Sequence, residues 1–76
     1  MKDLLLYIAR SLVSQPDQVT VTEVGAGDDL TLELRVAPED MGKVIGRQGR
    51  IVRQIRVLMK AVGQRQGKKV SVEILD

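Results

Sequence analysis

Lys43-Val44-Ile45-Gly46-Arg47-Gln48-Gly49-Arg50-Ile51-Val52-Arg53-Gln54-Ile55 is the stretch on which the reading of this chain turns. Two glycines bound Arg47 and Gln48, and apolar residues at helical spacing stand on both sides. The pattern predicts a four-residue loop joining two helices, the second running from about Arg50 to Val62. Glycine at positions 46 and 49 removes Cβ where an anion such as a phosphodiester would approach the main chain, and permits backbone angles that other residues resist. The loop also opens the longer helix, whose unpaired N–H groups and positive dipole end favour an anion. Arg47 and Arg50 add charge at the same place. A GxxG alone says little, because glycine-bounded turns between helices are common; its neighbours give it meaning.

Upstream, Pro38-Glu39-Asp40 starts the shorter helix, which Gly46 breaks. Before it, Leu30, Leu32, Leu34 and Val36 alternate with Thr31, Glu33 and Arg35, and Gln18 to Val24 is rich in Val and Thr. With turn residues from Gly25 to Asp29 between them, these segments form an antiparallel hairpin with one buried face. Leu5, Ile8, Ala9 and Leu12 put an amphipathic helix over Lys2 to Ser14, closed by Pro16. Downstream, after a loop from Gly63 to Gly67, Val70, Val72 and Ile74 alternate with Lys69, Ser71 and Glu73 as a third strand. The order is αββααβ. Two helices between the second and third strands make a crossover, so those strands run parallel. Each strand has a polar side, so the helices cover one face of a three-stranded mixed sheet in a two-layer α+β domain spanning residues 1–76.

Charge is segregated along the chain. The net charge is only +2, but Lys43, Arg47, Arg50, Arg53, Arg56, Lys60, Arg65, Lys68 and Lys69 follow one another without an intervening acid, whereas residues 1–40 are predominantly acidic. A positive surface for a polyanion is the implication. With no cysteine and no histidine, thiol chemistry, imidazole acid-base chemistry and the usual zinc ligands are excluded. Asp28-Asp29 belongs to a turn and Glu39-Asp40 to a helix start, where acids are ordinarily solvated or capping, so no catalytic group is expected and the chain is not read as an enzyme. The spacing is not that of a P-loop. Leu4 to Ala9 is far shorter than the roughly 20 apolar residues of a membrane span, so a cytoplasmic protein is expected, with neither a cofactor nor a small-molecule substrate.

The run from Val44 to Ile55, in an αββααβ chain, closely resembles the KH signature, and the element order is that of the type II KH fold. Ser14-Gln15-Pro16-Asp17 and Gly46 to Ile55 resemble the small bacterial KhpA family. That resemblance implies a single-stranded RNA partner and a role as an RNA chaperone or post-transcriptional regulator. It also implies pairing with a larger KH-containing partner of the KhpB kind, and a link to cell elongation and wall synthesis. It places about four nucleotides with their backbone on Gly46-Arg47-Gln48-Gly49 and their bases in a groove between the two central helices and the third strand. Lys43, Arg50 and Arg53 would flank the grip. Arg65, Lys68 and Lys69 would form the far rim, and main-chain groups of Lys69 to Val72 would read base edges. Val44, Ile45 and Ile51 are candidates for the apolar floor, although core membership fits them as well.

Tyr7 is the single aromatic residue. Stacking platforms, which contribute about 1 to 3 kcal/mol per base, are therefore missing, and binding should be modest, salt-sensitive and weakly selective. A second site then becomes useful, because linking weak sites raises effective affinity. On the long helix Val52, Ile55, Met59 and Val62 form one apolar stripe, and Ile51, Leu58 and Ala61 widen it to about 180°, where roughly 100° suffices to bury one face. Either the first helix covers that extra strip, or Ile51, Leu58 and Ala61 form an interface for a homodimer or a KH-containing partner. A protein-interaction module working through this helix, with nucleic acid secondary, is the alternative reading.

Overall fold

The computed structural model describes residues 1–75, and Asp76, the last residue of the expected domain, lies outside the described residues. The elements are α1 (Lys2–Leu12), β1 (Thr20–Ala26), β2 (Asp29–Arg35), α2 (Met41–Ile45), α3 (Arg50–Arg65) and β3 (Lys69–Leu75), with single 3-10 turns at Pro16–Gln18, Pro38–Asp40 and Arg47–Gly49. The αββααβ order of the sequence reading is present. β1 and β2 run antiparallel, with Val21 opposite Leu34. β3 lies parallel to β2, with Val72 beside Leu32, so the strand order is β1-β2-β3.

Period-two alternation decides which side is covered. In this register Val21, Leu32, Leu34, Val70 and Val72 share one face and are buried, while Thr22, Glu33 and Glu73 point to the other. Leu5 and Ala9 from α1 and Ile55 and Met59 from α3 close over the apolar face and join it in one core with Val44 of α2. Leu32, Leu34, Leu5 and Met59 are each 0% exposed, so truncating any of them to alanine would cost about 2 to 5 kcal/mol of a small total. α1 is favoured locally by Asp3 in its first turn and Arg10 in its last, each matched to the helix dipole.

Several boundaries differ from the sequence reading. α1 stops at Leu12, where Val13 turns extended at φ −100°, rather than at Ser14. The hairpin turn is only Gly27-Asp28, because Ala26 still pairs with Asp29. The larger change is in α3, which runs through Gly63 to Arg65 instead of stopping at Val62. Gly63 is buried where α3 crosses β3, and a Cβ there would strike the Val70 side chain. The glycine serves close helix-to-strand approach and not helix termination.

Candidate nucleic-acid interface

The glycine-bounded loop is a strained turn held by its own chain. α2 ends at Gly46, whose φ of 79° lies outside ordinary L-residue space, and Gln48 and Gly49 follow at φ 57° and 74°. The Gly46 N–H donates to Gly42 O at 2.9 Å and the Gly49 N–H to Gly46 O at 3.1 Å. Arg53 then reaches back from the first turn of α3, donating from Nη2 to Gln48 O at 2.7 Å. Left-handed Gly49 leads into right-handed Arg50 at the N-terminus of a helix of 16 residues, whose positive dipole end favours an anion, while the Arg50 N–H is itself spent on Arg47 O.

The two glycines do different work, which corrects the sequence reading that both open space for a ligand. A Cβ at Gly46 would sit 2.6 Å from Ile51 Cγ1 and 2.9 Å from the Ile51 nitrogen, so Gly46 is required by packing within the chain. A Cβ at Gly49 would meet nothing nearer than Val52 Cγ1 at 4.0 Å. Gly49 faces open space, so packing within the chain does not require it.

A second correction concerns Val44, which is fully buried in the core and lines no surface groove. Ile45 and Ile51 are half-buried against that core. Lys43 leans on Asp40, with Nζ 3.3 Å from Oδ1, while Arg47 and Arg50 are exposed at the loop. At 100° per residue Arg53, Arg56 and Lys60 fall on one flank of α3, and Gln64 continues it. The flank faces β3, because Arg56 donates from Nε to Val72 O at 3.1 Å. Lys60 and Gln64 meet Lys68 and Lys69 around a depression of about 500 Å³, where three lysines outnumber the single acid, Asp29 of β2. One cationic track therefore runs from the loop along α3 beside β3. Arg65, expected on its far rim, lies half a turn round the helix from Arg56 and does not line that depression. Arg56 and Lys60 were absent from the expected site, although the i, i+3, i+7 spacing of Arg53, Arg56 and Lys60 carried the signal.

The opposite flank is apolar. Ile8 and Leu12 of α1 face Ile51, Ile55 and Leu58 of α3 across an open groove of about 370 Å³, with Arg50 and Gln54 at its edge. The first helix thus covers part of the strip, yet Leu58 remains 45% exposed. Ile51 belongs to this groove and packs beneath Gly46, whereas Ala61 is exposed outside it.

Asp40, expected to be solvated or capping, is fully buried. Its Oδ1 accepts from the Ser14 hydroxyl at 2.7 Å and the Ser14 N–H at 3.2 Å, and Oδ2 from the Gln15 N–H at 3.0 Å. The Ser14 hydroxyl bond foremost, then the two N–H bonds and Lys43, hold its pKa at about 2, below the usual 3.8, against burial that pushes it up. The carboxylate ties the end of α1 to the start of α2. No group of side chains among the described residues forms a metal site, and no helix there is long and apolar enough to cross a membrane.

Known proteins resemble this chain over its whole length. The chain is 56% identical to the RNA-binding protein KhpA of Clostridium acetobutylicum over 75 residues, covering 99% of this chain and 100% of that protein. It is 53% identical to the RNA-binding protein KhpA of Clostridium perfringens, with the same coverage. With the RNA-binding protein KhpA of Aquifex aeolicus it shares 45% identity over 76 residues, 100% of this chain and 96% of that one. None of these names denotes an enzyme. No solved structure matches the chain. The family model described as KhpA/KhpB, KH domain, matches residues 2–74, and with that match and those relatives the chain belongs to the KhpA/KhpB family of KH domains.

Proposed function

We propose that this chain binds short single-stranded RNA, with the phosphates on Gly46-Arg47-Gln48-Gly49 and the N-terminus of α3, and acts in the cytoplasm as an RNA chaperone or post-transcriptional regulator. The observation that carries the reading is the continuous cationic track from that loop along Arg53, Arg56 and Lys60 to Lys68 and Lys69. Its support is the name RNA-binding protein borne by relatives that align over their whole length. Arg47, Gln48 and Arg50 touch phosphate; Lys43 adds charge; Arg53 braces the loop through Gln48. In a site without aromatic platforms, affinity rests on charge and main-chain contacts.

A second component of the reading is assembly with another KH domain, a second copy or a larger KhpB-like chain, possessing its own RNA site. The apolar groove between α1 and α3, with Leu58 45% exposed, favours it. A role in cell elongation and wall synthesis is part of this reading through the family resemblance alone. The test of the RNA grip is the double variant Arg47→Asp, Gln48→Asp. It should keep the wild-type circular dichroism spectrum and lose binding to a labelled single-stranded RNA in fluorescence anisotropy. A folded double variant with undiminished affinity would remove the loop from the site.

A further inference from the structure

We propose that Arg56 is a base-selecting residue of this interface, favouring cytosine over adenine at the nucleotide lying against β3; the inference rests on reading the loop and track as an RNA grip. β3 is the last strand of the sheet, and no further strand pairs with it among the described residues. In an extended strand the N–H and C=O of one residue point to the same edge, alternating from residue to residue. Arg56 approaches Val72 O from α3, so Val72 turns its main-chain groups outward, away from β2.

Left alone, such an edge offers one donor and one acceptor side by side. That pair matches the Watson–Crick edge of adenine, whose N1 accepts and whose N6 amino group donates. Arg56 changes this pattern. Its Nε is spent on Val72 O at 3.1 Å, and a guanidinium holds only donors in a fixed fork. The acceptor of the edge is engaged, and what the fork has left to offer a base is N–H donors alone. Cytosine presents two adjacent acceptors, O2 and N3, to such a surface. Adenine brings an amino group that would face donors, guanine brings two donors on its Watson–Crick edge, and uracil places N3–H between its carbonyls. A base whose polar group is left unpaired in a groove is rejected for the desolvation it suffers.

Arg56 has a competing explanation as a guard of the exposed strand edge against pairing with other chains. The experiment separates the two using labelled RNA octamers of cytidine, adenosine and uridine, measured by fluorescence anisotropy at fixed salt. The proteins are wild type, Arg56→Met, Arg56→Lys, and the Arg47→Asp, Gln48→Asp double variant. Wild type should bind the cytidine octamer about tenfold more tightly than the adenosine octamer, at the low end for a two-point Arg contact to a base. Arg56→Met should erase that ratio, weakening cytidine and strengthening adenosine. Arg56→Lys should erase it too while keeping the charge. Equal binding of the cytidine and adenosine octamers by wild type overturns the proposal, as does an unchanged ratio in both Arg56 variants. An unchanged ratio together with new self-association in sedimentation would identify an edge guard only. Wild type binding none of the octamers, or the double variant binding them undiminished, would instead bring down the grip itself and this inference with it.

Discussion

Gly46 and Gly49 look equivalent in the sequence and are not equivalent in the molecule. Gly46 combines a φ of 79° with contact against Ile51, so Gly46→Ala meets both a conformational and a steric penalty. A loss of about 2 to 4 kcal/mol is expected, from left-handed strain and crowding together. Gly49→Ala meets the conformational penalty alone, about 1 to 2 kcal/mol, because its Cα faces open space. Its larger effect should be on RNA affinity, where the added methyl occupies the proposed phosphate position. Chemical denaturation and anisotropy on both variants check this, and equal stabilities would refute the division. Asp40 is the other residue whose sequence position concealed its role. Its pKa is lowered in the folded protein, so the stability it contributes is fully present above 3.8 and is lost as pH falls toward about 2. Asp40→Asn should lower the thermal midpoint at pH 7, and the gap from wild type should narrow as the pH is brought down through that window, followed by circular dichroism. A gap of constant size would mean that the carboxylate charge is irrelevant.

At the scale of elements, α3 serves three surfaces at once. Val52, Ile55, Met59 and Gly63 face the sheet, Arg53, Arg56 and Lys60 flank β3, and Ile51 and Leu58 look toward α1. The wide apolar arc is thereby explained, since its extra part is shared between partial cover by α1 and exposure at Leu58. Because Leu58 keeps 45% of its surface, Leu58→Lys should leave the domain folded at a cost of about 1 kcal/mol, while placing a charge where an apolar partner would dock. Sedimentation with circular dichroism measures the outcome. A folded variant that sediments as wild type over a wide concentration range would sink the homodimer, and pull-down with a larger KH-containing partner then tests the heterodimer. RNA affinity of the monomeric form should change little, because the apolar groove and the cationic track lie on opposite flanks of the helix.

At the scale of the molecule, the acidic first half supplies most of the sheet and the basic second half supplies the track, so a near-neutral chain carries a strongly positive flank. If three or four of its cations neutralise phosphates, the log of the affinity should fall with log salt at a slope of roughly −2 to −3 for a single strand. Titration at several salt concentrations reads it directly, and a flat response would make the basic segment mere solvated surface. The sequence by itself determined the element order, the antiparallel and parallel pairings, the covered face of the sheet and the position of the loop. These follow from period and turn chemistry, which are local properties of the chain. Only tertiary structure decided that α3 continues through Gly63, since the reason is a strand that packs there from several residues later. It alone decided that Val44 is core, that Asp40 is buried against Ser14 and Gln15, and that Arg56 rather than Arg65 borders the track. Each of these depends on what another element brings within a few ångströms, and helical spacing fixes a residue's direction without naming what it will face.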